Sequence, residues 1–189
     1  TSSGRLVSGT QTAYVLALHF DMLPESLRAS AAKRLAENVS SYEDHLTTGF
    51  LGTPYLCHVL TRFGYGDLAY RLLLQESYPS WLYPVKMGAT TIWERWDGIK
   101  PDSTFQTPGM NSFNHYWLGC ITEYLHTAVG GIDTIGAGWK RIVVKPEVES
   151  GLKNANSSYD SIRGVVKSSW TRSEDGSLSL TVTIPANAT

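Results

Sequence analysis

The hydrophobic pattern of this 189-residue chain changes its period near Gly130 and Gly131. Before these glycines, apolar residues recur every three or four positions; after them, apolar and polar residues alternate. An α-helix repeats every 3.6 residues and a β-strand every two, so the two periods indicate two kinds of structure. We therefore predict a helical domain at residues 1–135 and an antiparallel β domain at residues 136–189.

The helices predicted in the first domain are joined by short turns, as in a series of helical hairpins. They cover residues 10–20, 25–44, 54–63, 67–77 and 112–129. Asp67 is the predicted cap of the fourth helix, and Asn111 or Ser112 that of the last. Strands are predicted at residues 139–145, 159–172 and 177–184, the second of them broken near Gly164. Because so few strands form only an incomplete β-sandwich, and the sequence begins without Met, we expect the chain to be a piece of a longer protein.

The charge balance argues against two classes of partner. Lys and Arg number 16 and Asp and Glu 17, so neither nucleic acid nor an anionic membrane would find a basic surface. Cys57 and Cys120 match no disulfide framework or metal spacing and are predicted to be buried free thiols. Sequons at Asn38, Asn156 and Asn187 give a slight lean towards a secreted protein.

Residues 81–110 have no sustained helical period and contain three prolines and three glycines. A connection of this length in a helical domain is usually functional or disordered. Its aromatic residues argue against disorder: Trp81, Tyr83, Trp93, Trp96 and Phe105. We therefore predict a structured loop over one end of the helical bundle.

The sequence GATTIWERWDG at residues 88–98 places Glu94 between Trp93 and Trp96. Indole rings can cover the apolar face of a sugar, and a carboxylate can act as a base, a nucleophile or a ligand of hydroxyl groups. This stretch is the candidate sugar site. The alternative is structural: Glu94 would cap a helix or pair with Arg95, and the tryptophans would pack in the core.

Two motifs make the interpretation more specific. MGATTIWERWDG at residues 87–98, followed by MNSFNHY at residues 110–116, resembles the late catalytic segment of the bacterial and fungal α-L-rhamnosidases of glycoside hydrolase family 78. TGFLGT at residues 48–53 and IPAN at residues 184–187 also resemble that family, in the same order. The resemblance runs over essentially the whole chain, and its most specific part is the acid and histidine 21 residues apart.

The resemblance implies part of an (α/α)6 barrel followed by a β-sandwich, and an inverting hydrolase of terminal α-L-rhamnosyl groups. Glu94 falls on the family's general base and His115 on a histidine that contacts rhamnose. Trp93 and Trp96 are candidate pocket walls, and Asn114 is a further candidate contact. No cofactor or metal is implied. The general acid belongs to earlier barrel segments that this chain does not contain, so we expect it to need the upstream remainder of the barrel and to be inactive alone.

Two other classes of function stay open. The chain could belong to a glycosidase or polysaccharide lyase acting on another sugar, although the nearly neutral loop offers little to neutralise a uronate. It could also form a non-catalytic sugar-binding module, in which Glu94 would only hold hydroxyl groups. Glu94→Gln separates these readings, because a general base and a ligand contact affect turnover and binding differently.

Overall fold

The fold is described from a computed structural model, which covers residues 3–149 and 151–189. The chain divides into two compact units, Thr1–Ile121 and Thr122–Thr189. The first is mainly helical and the second holds all the described strands, so the predicted order of helices followed by antiparallel sheets is confirmed. The domain boundary predicted between residues 135 and 136 stays a prediction. No helix in the described part of the chain is long and apolar enough to cross a lipid bilayer.

Helical hairpins build the first unit. Its helices are α1 (Gln11–His19), α2 (Glu25–Ser41), α3 (Thr53–Arg62), α4 (Gly66–Leu73) and the short α5 (Leu82–Lys86). Helix α1 packs against α2 and α3, and α3 packs against α4. Apolar residues four positions apart on the second helix predict one buried face, at Leu27, Ala31, Leu35 and Val39. The last three are fully buried, and Leu27 is half-buried.

Helices α2 and α4 end earlier than predicted, and the cap of α4 also differs from the prediction. Helix α2 stops at Ser41, because Glu43 and Asp44 both adopt φ of 56°, outside the helical region. Helix α4 ends at Leu73, well before the predicted residue 77. Asp67 lies inside the first turn of α4, and Tyr65 occupies the cap position without a side-chain hydrogen bond.

A buried glutamine fixes the connection after α2. Gln11 is fully buried in the first turn of α1; its Nε2 donates to His45 O at 3.1 Å and its Oε1 accepts from Thr47 N at 2.8 Å. One side chain thus satisfies two backbone groups that could otherwise be left unpaired in the core.

The predicted helix at residues 112–129 is wrong in its first third. Helical structure begins only with a 3₁₀ turn, Trp117–Cys120, and continues through α6 (Ile121–Tyr124) into a π-helical turn, Leu125–Val129. Ser112 therefore does not cap a helix. Its N–H and C=O are both bonded to Glu94, in a pairing described below.

Among the described residues of the second unit, the strands form two antiparallel sheets. Strands β1 (Ile132–Thr134) and β2 (Ile142–Val144) form one, and β3 (Asn154–Ser161), β4 (Gly164–Arg172) and β5 (Leu178–Thr183) form the other, in that order. The break predicted near Gly164 is the β3–β4 turn, and the strand predicted from residue 177 is β5. Strand β1 was not predicted. Buried Trp170 anchors the larger sheet, its Nε1 donating to Val129 O at 2.8 Å.

Candidate active site

The two motif segments are paired through their backbones. Glu94 N donates to Ser112 O at 2.8 Å, and His115 N donates to Ile92 O at 2.8 Å. The segments therefore run antiparallel, like the strands of a short ribbon. This pairing brings Glu94 and His115, 21 residues apart in sequence, within a few positions of each other.

The Glu94 carboxylate is anchored through one of its two oxygens. Oε2 accepts the backbone N–H of Ser112 at 2.9 Å, and the side chain is half-buried. Oε1 accepts no hydrogen bond from residues 3–149 or 151–189. The Glu94 carbonyl is also held, by the indole N–H of Trp117 at 2.8 Å. The acid is fixed in direction while one oxygen stays available to a water molecule or a sugar hydroxyl.

Arg95, next to the acid in sequence, is held by a different carboxylate. Its Nε donates to Asp97 Oδ1 at 3.1 Å, and Gln106 Nε2 donates to Asp97 Oδ2 at 2.6 Å. Partial burial works against ionisation of Asp97, but the hydrogen bonds from Gln106 and Arg95 and the charge of Arg95 outweigh it, so the pKa of Asp97 lies below its ordinary value. The structural alternative in which Glu94 pairs with Arg95 therefore does not occur in this conformation.

A nested turn closes the loop between the paired segments. Gln106 N donates to Gly98 O at 3.1 Å, and Ile99 forms a β-bridge with Phe105. Asn111 Nδ2 donates to Gly98 O at 3.0 Å and to Gln106 O at 3.3 Å. Gly98 is buried here, and a Cβ on it would lie 2.9 Å from Asn111 Oδ1. Asp97 and Gly98 thus lie at the base of an inner hairpin.

Four aromatic rings form a connected cluster beside the acid. Trp96 meets Trp81 edge-on at 5.5 Å and Trp117 at 5.9 Å between ring centroids, and Phe50 meets Trp117 at 6.1 Å. Edge-to-face contacts at these distances are favourable for aromatic pairs. Trp96 is half-buried within the cluster, and Phe50 is 64% exposed.

Trp93 belongs to a second aromatic group. Its side chain is only 3% exposed and meets Phe113 edge-on at 5.1 Å. It also lines a cavity of about 260 Å³ together with Trp96 and Trp81. Neither Glu94 nor His115 lines this cavity, and threonine hydroxyls are its main polar side-chain groups. A sugar pocket needs several converging polar groups, so the cavity is not itself the candidate sugar site.

His115 and Asn114 lie at the accessible end of the paired segments. The half-buried His115 ring stacks on Tyr116 with centroids 5.6 Å apart and planes inclined by 11°. Neither His115 ring nitrogen bonds to a residue in the described part of the chain. Asn114 is exposed, and its backbone N–H donates to Ser112 Oγ at 3.2 Å. Both side chains can therefore accept a partner from solution.

The predicted burial of the two thiols is confirmed at Cys57 and wrong at Cys120. Cys57 is buried and Cys120 is half-buried, and neither forms a disulfide. Burial, with a smaller contribution from Cys120, raises the pKa of the Cys57 thiol to about 12. Within the described residues, no group of three or more His, Cys, Asp or Glu side chains could hold a metal ion.

Comparison with known families identifies the chain. Residues 1–129 match the sequence model of the bacterial alpha-L-rhamnosidase 6 hairpin glycosidase domain, and residues 131–189 match that of the bacterial alpha-L-rhamnosidase C-terminal domain. The chain belongs to the bacterial α-L-rhamnosidase family. The resemblance stated from the two motifs is thereby confirmed.

Individual α-L-rhamnosidases align with all or nearly all of the chain. An α-L-rhamnosidase of Streptomyces avermitilis is 44% identical over 188 residues, which is 100% of this chain and 18% of the relative. One of Formosa agariphila is 43% identical over 183 residues, or 97% of this chain and 20% of the relative. The chain thus spans about a fifth of the length of these relatives.

Two solved α-L-rhamnosidase structures have the same fold in the aligned part. The crystal structure of the Streptomyces avermitilis enzyme complexed with L-rhamnose matches with a TM-score of 0.96 at 44% identity, covering 100% of this chain and 18% of that one. The native Aspergillus terreus enzyme matches with a TM-score of 0.96 at 35% identity, covering 100% and 22%.

Three features of the candidate site were missed from the sequence. The Glu94 carboxylate is anchored by the backbone N–H of Ser112, and a backbone donor cannot be recognised from residue types in the sequence. Trp117 was assigned to the middle of a helix, although it follows His115 by only two residues. No sequence signal indicates that Asp97, and not Glu94, is the carboxylate that binds Arg95.

Proposed function

We propose that this chain is part of an inverting glycoside hydrolase that releases terminal α-L-rhamnose, and that Glu94 is its general base. Family membership supports the reaction class, and the relative of known structure is described as complexed with L-rhamnose. The observation that carries the residue assignment is the carboxylate itself: Oε2 is anchored by Ser112 N–H, and Oε1 is open.

An inverting hydrolase needs two carboxyl groups on opposite sides of the sugar. One carboxyl group protonates the leaving oxygen. The other is ionised and takes a proton from a water molecule as that water attacks the anomeric carbon. The two groups lie roughly 6.5–9.5 Å apart, so that the water fits between them. Glu94 is suited to the second role because its open oxygen can receive the proton. The general acid, which protonates the leaving oxygen, is supplied by barrel segments outside this chain.

The neighbouring side chains have proposed roles in sugar binding. The His115 ring nitrogens bond to no residue in the described part of the chain, so His115 can form a hydrogen bond with a rhamnose hydroxyl. The contacts predicted for Asn114, Trp96 and Trp93 stay predictions. Exposure ranks them in that order, since Asn114 is exposed, Trp96 half-buried and Trp93 3% exposed.

The test is Glu94→Gln in the full-length protein, assayed on an aryl α-L-rhamnoside. A general base contributes about 10²–10⁴ to the rate, so we expect kcat to fall by about 10³ with KM little changed. Asp102→Asn is the matched control, because Asp102 is an exposed loop carboxylate bonded to Thr104 and should leave kcat unchanged.

Product analysis by NMR completes the test. Immediately after hydrolysis the released rhamnose should have the anomeric configuration opposite to that of the substrate. Full turnover in Glu94→Gln would exclude the assignment of the base. Equal losses of binding and turnover would make Glu94 a ligand contact, and a retained configuration would exclude the inverting mechanism.

A further inference from the structure

Trp117 is the side chain that ties the Glu94 peptide to the rest of the helical unit. Its Nε1 donates to Glu94 O at 2.8 Å, across 23 residues of sequence. The 3₁₀ turn Trp117–Cys120 that carries it packs against α3. The bond therefore connects Glu94 to a turn that packs on α3, whereas its other hydrogen bonds to described residues are all made with Ser112.

The indole ring is itself fixed from two directions. Trp96 meets it at 5.9 Å with planes inclined by 67°, and Phe50, from the loop before α3, meets it at 6.1 Å and 75°. A ring held edge-on by two separate segments cannot rotate freely about its side-chain bonds. The direction of its N–H, and with it the position of the Glu94 carbonyl, is therefore set by packing.

Two anchors together define where the carboxylate lies. The N–H of Ser112 fixes Oε2 at 2.9 Å, but the segment to which Ser112 belongs is joined to Glu94 by the same ribbon and can move with it. Trp117 fixes the peptide relative to the helices. Catalytic groups must be held to within a fraction of an ångström, and a displacement of 1 Å can cost a factor of 10².

We propose that Trp117 is a positioning residue for the general base, holding the Glu94 peptide through its indole N–H. The proposal rests on the assignment of Glu94 as the base. Loss of this bond should let the carboxylate move away from the attacking water while substrate binding is retained. The expected signature is a fall in kcat of about tenfold, with KM changed by less than twofold.

Trp117→Phe in the full-length enzyme removes the N–H and keeps an aromatic ring. The matched control is Trp81→Phe: Trp81 also contacts Trp96, and its Nε1 donates to a backbone carbonyl, that of Leu118, at 3.0 Å. Both variants lose one indole hydrogen bond in the same aromatic cluster. Only Trp117→Phe should lower kcat tenfold, and Trp81→Phe should stay within twofold of the parent enzyme.

A second replacement separates the hydrogen bond from the shape of the ring. Benzothienylalanine at position 117 keeps a bicyclic ring but has sulfur in place of N–H. It should lower kcat by the same factor as Trp117→Phe, and it remains informative if the smaller phenyl ring leaves the cluster too loosely packed to fold. Parent-like kcat with this residue would overturn the proposal.

A double substitution distinguishes failure of this inference from failure of the assignment of Glu94. In a Glu94→Gln background there is no base to position, so Trp117→Phe should change kcat by less than twofold. A further tenfold loss of kcat in the Glu94→Gln background would show that Trp117 has a general structural role. That result would overturn the positioning role and leave the assignment of Glu94 as the base intact. Full turnover in Glu94→Gln by itself would overturn the assigned base.

Discussion

Gly98→Ala tests whether the loop behind Glu94 is packed as tightly as its contacts indicate. An added Cβ would lie 2.9 Å from Asn111 Oδ1 and 3.1 Å from both Phe113 Cε1 and Trp93 Cε3. Carbon atoms normally pack at about 3.5–4.0 Å, so each neighbour must give way by several tenths of an ångström. The two rings are in edge contact and Trp93 is 3% exposed, so they have little room to move.

The expected cost follows from this crowding. Overpacking typically destabilises by about 1–3 kcal/mol, and we take about 2 kcal/mol here because three neighbours are involved. Gly98 does not adopt a positive φ, so backbone strain adds nothing. The cost should appear as easier local opening of the loop.

Hydrogen exchange followed by mass spectrometry on the full-length protein is the assay. In peptides covering residues 92–115, a loss of about 2 kcal/mol should accelerate exchange of the protected amides by about 30-fold. Gly109→Ala is the matched control in the same loop, since a Cβ there meets nothing within 4 Å and φ is not positive. It should leave exchange unchanged or slow it slightly, because alanine restricts the unfolded chain. Equal exchange in the two variants would refute the packing argument.

Three further predictions concern other parts of the chain. Because the pKa of Asp97 is lower in the folded state than in the unfolded state, ionised Asp97 stabilises the loop fully above its unfolded pKa. This stabilisation is lost as the pH falls through the folded pKa. Asp97→Asn should therefore weaken the loop by about 1 kcal/mol at pH 7, as measured by hydrogen exchange, and by less below pH 3.8. Cys57, whose pKa burial raises to about 12, should resist iodoacetamide at pH 8 until the protein is unfolded, as mass spectrometry of its peptide would show. Gly131→Ala should destabilise the β unit far more than Gly136→Ala. Both glycines have a positive φ, but only a Cβ on Gly131 would meet backbone, at 2.2 Å from Pro146 N. Similar urea midpoints for the two variants would contradict this prediction.

Local patterns in the sequence located most of the helices and strands. The stripe of Leu27, Ala31, Leu35 and Val39 predicted a buried helix face, and α2 fully buries the last three of these residues. The alternation from Leu178 predicted β5 because each side chain of a strand points to one of two faces. Strand β1 was missed because its three residues lie between glycines at 130–131 and at 136 and 138, which indicate turns rather than a strand.

The error at residues 112–116 has a different origin. Phe113, Tyr116 and Trp117 stand at helical spacing, so periodicity indicated a helix from Ser112. In the structure, the backbone of this segment bonds instead to residues about 20 positions earlier, at Glu94 and Ile92. Periodicity reports which face of an element is apolar, and it contains no information on long-range pairing.

The spacing of Glu94 and His115 was nevertheless informative, and the nested hairpin explains why. Gly98 and Gln106 close an inner turn, and the segments outside it continue as the pair that carries the two side chains. In a paired ribbon, a shift of one residue turns each side chain to the opposite face. A separation of 21 residues is therefore a consequence of the inner hairpin's length and the outer register. The spacing between Glu94 and His115 therefore contains information on the pairing of the two segments, which hydrophobic periodicity does not.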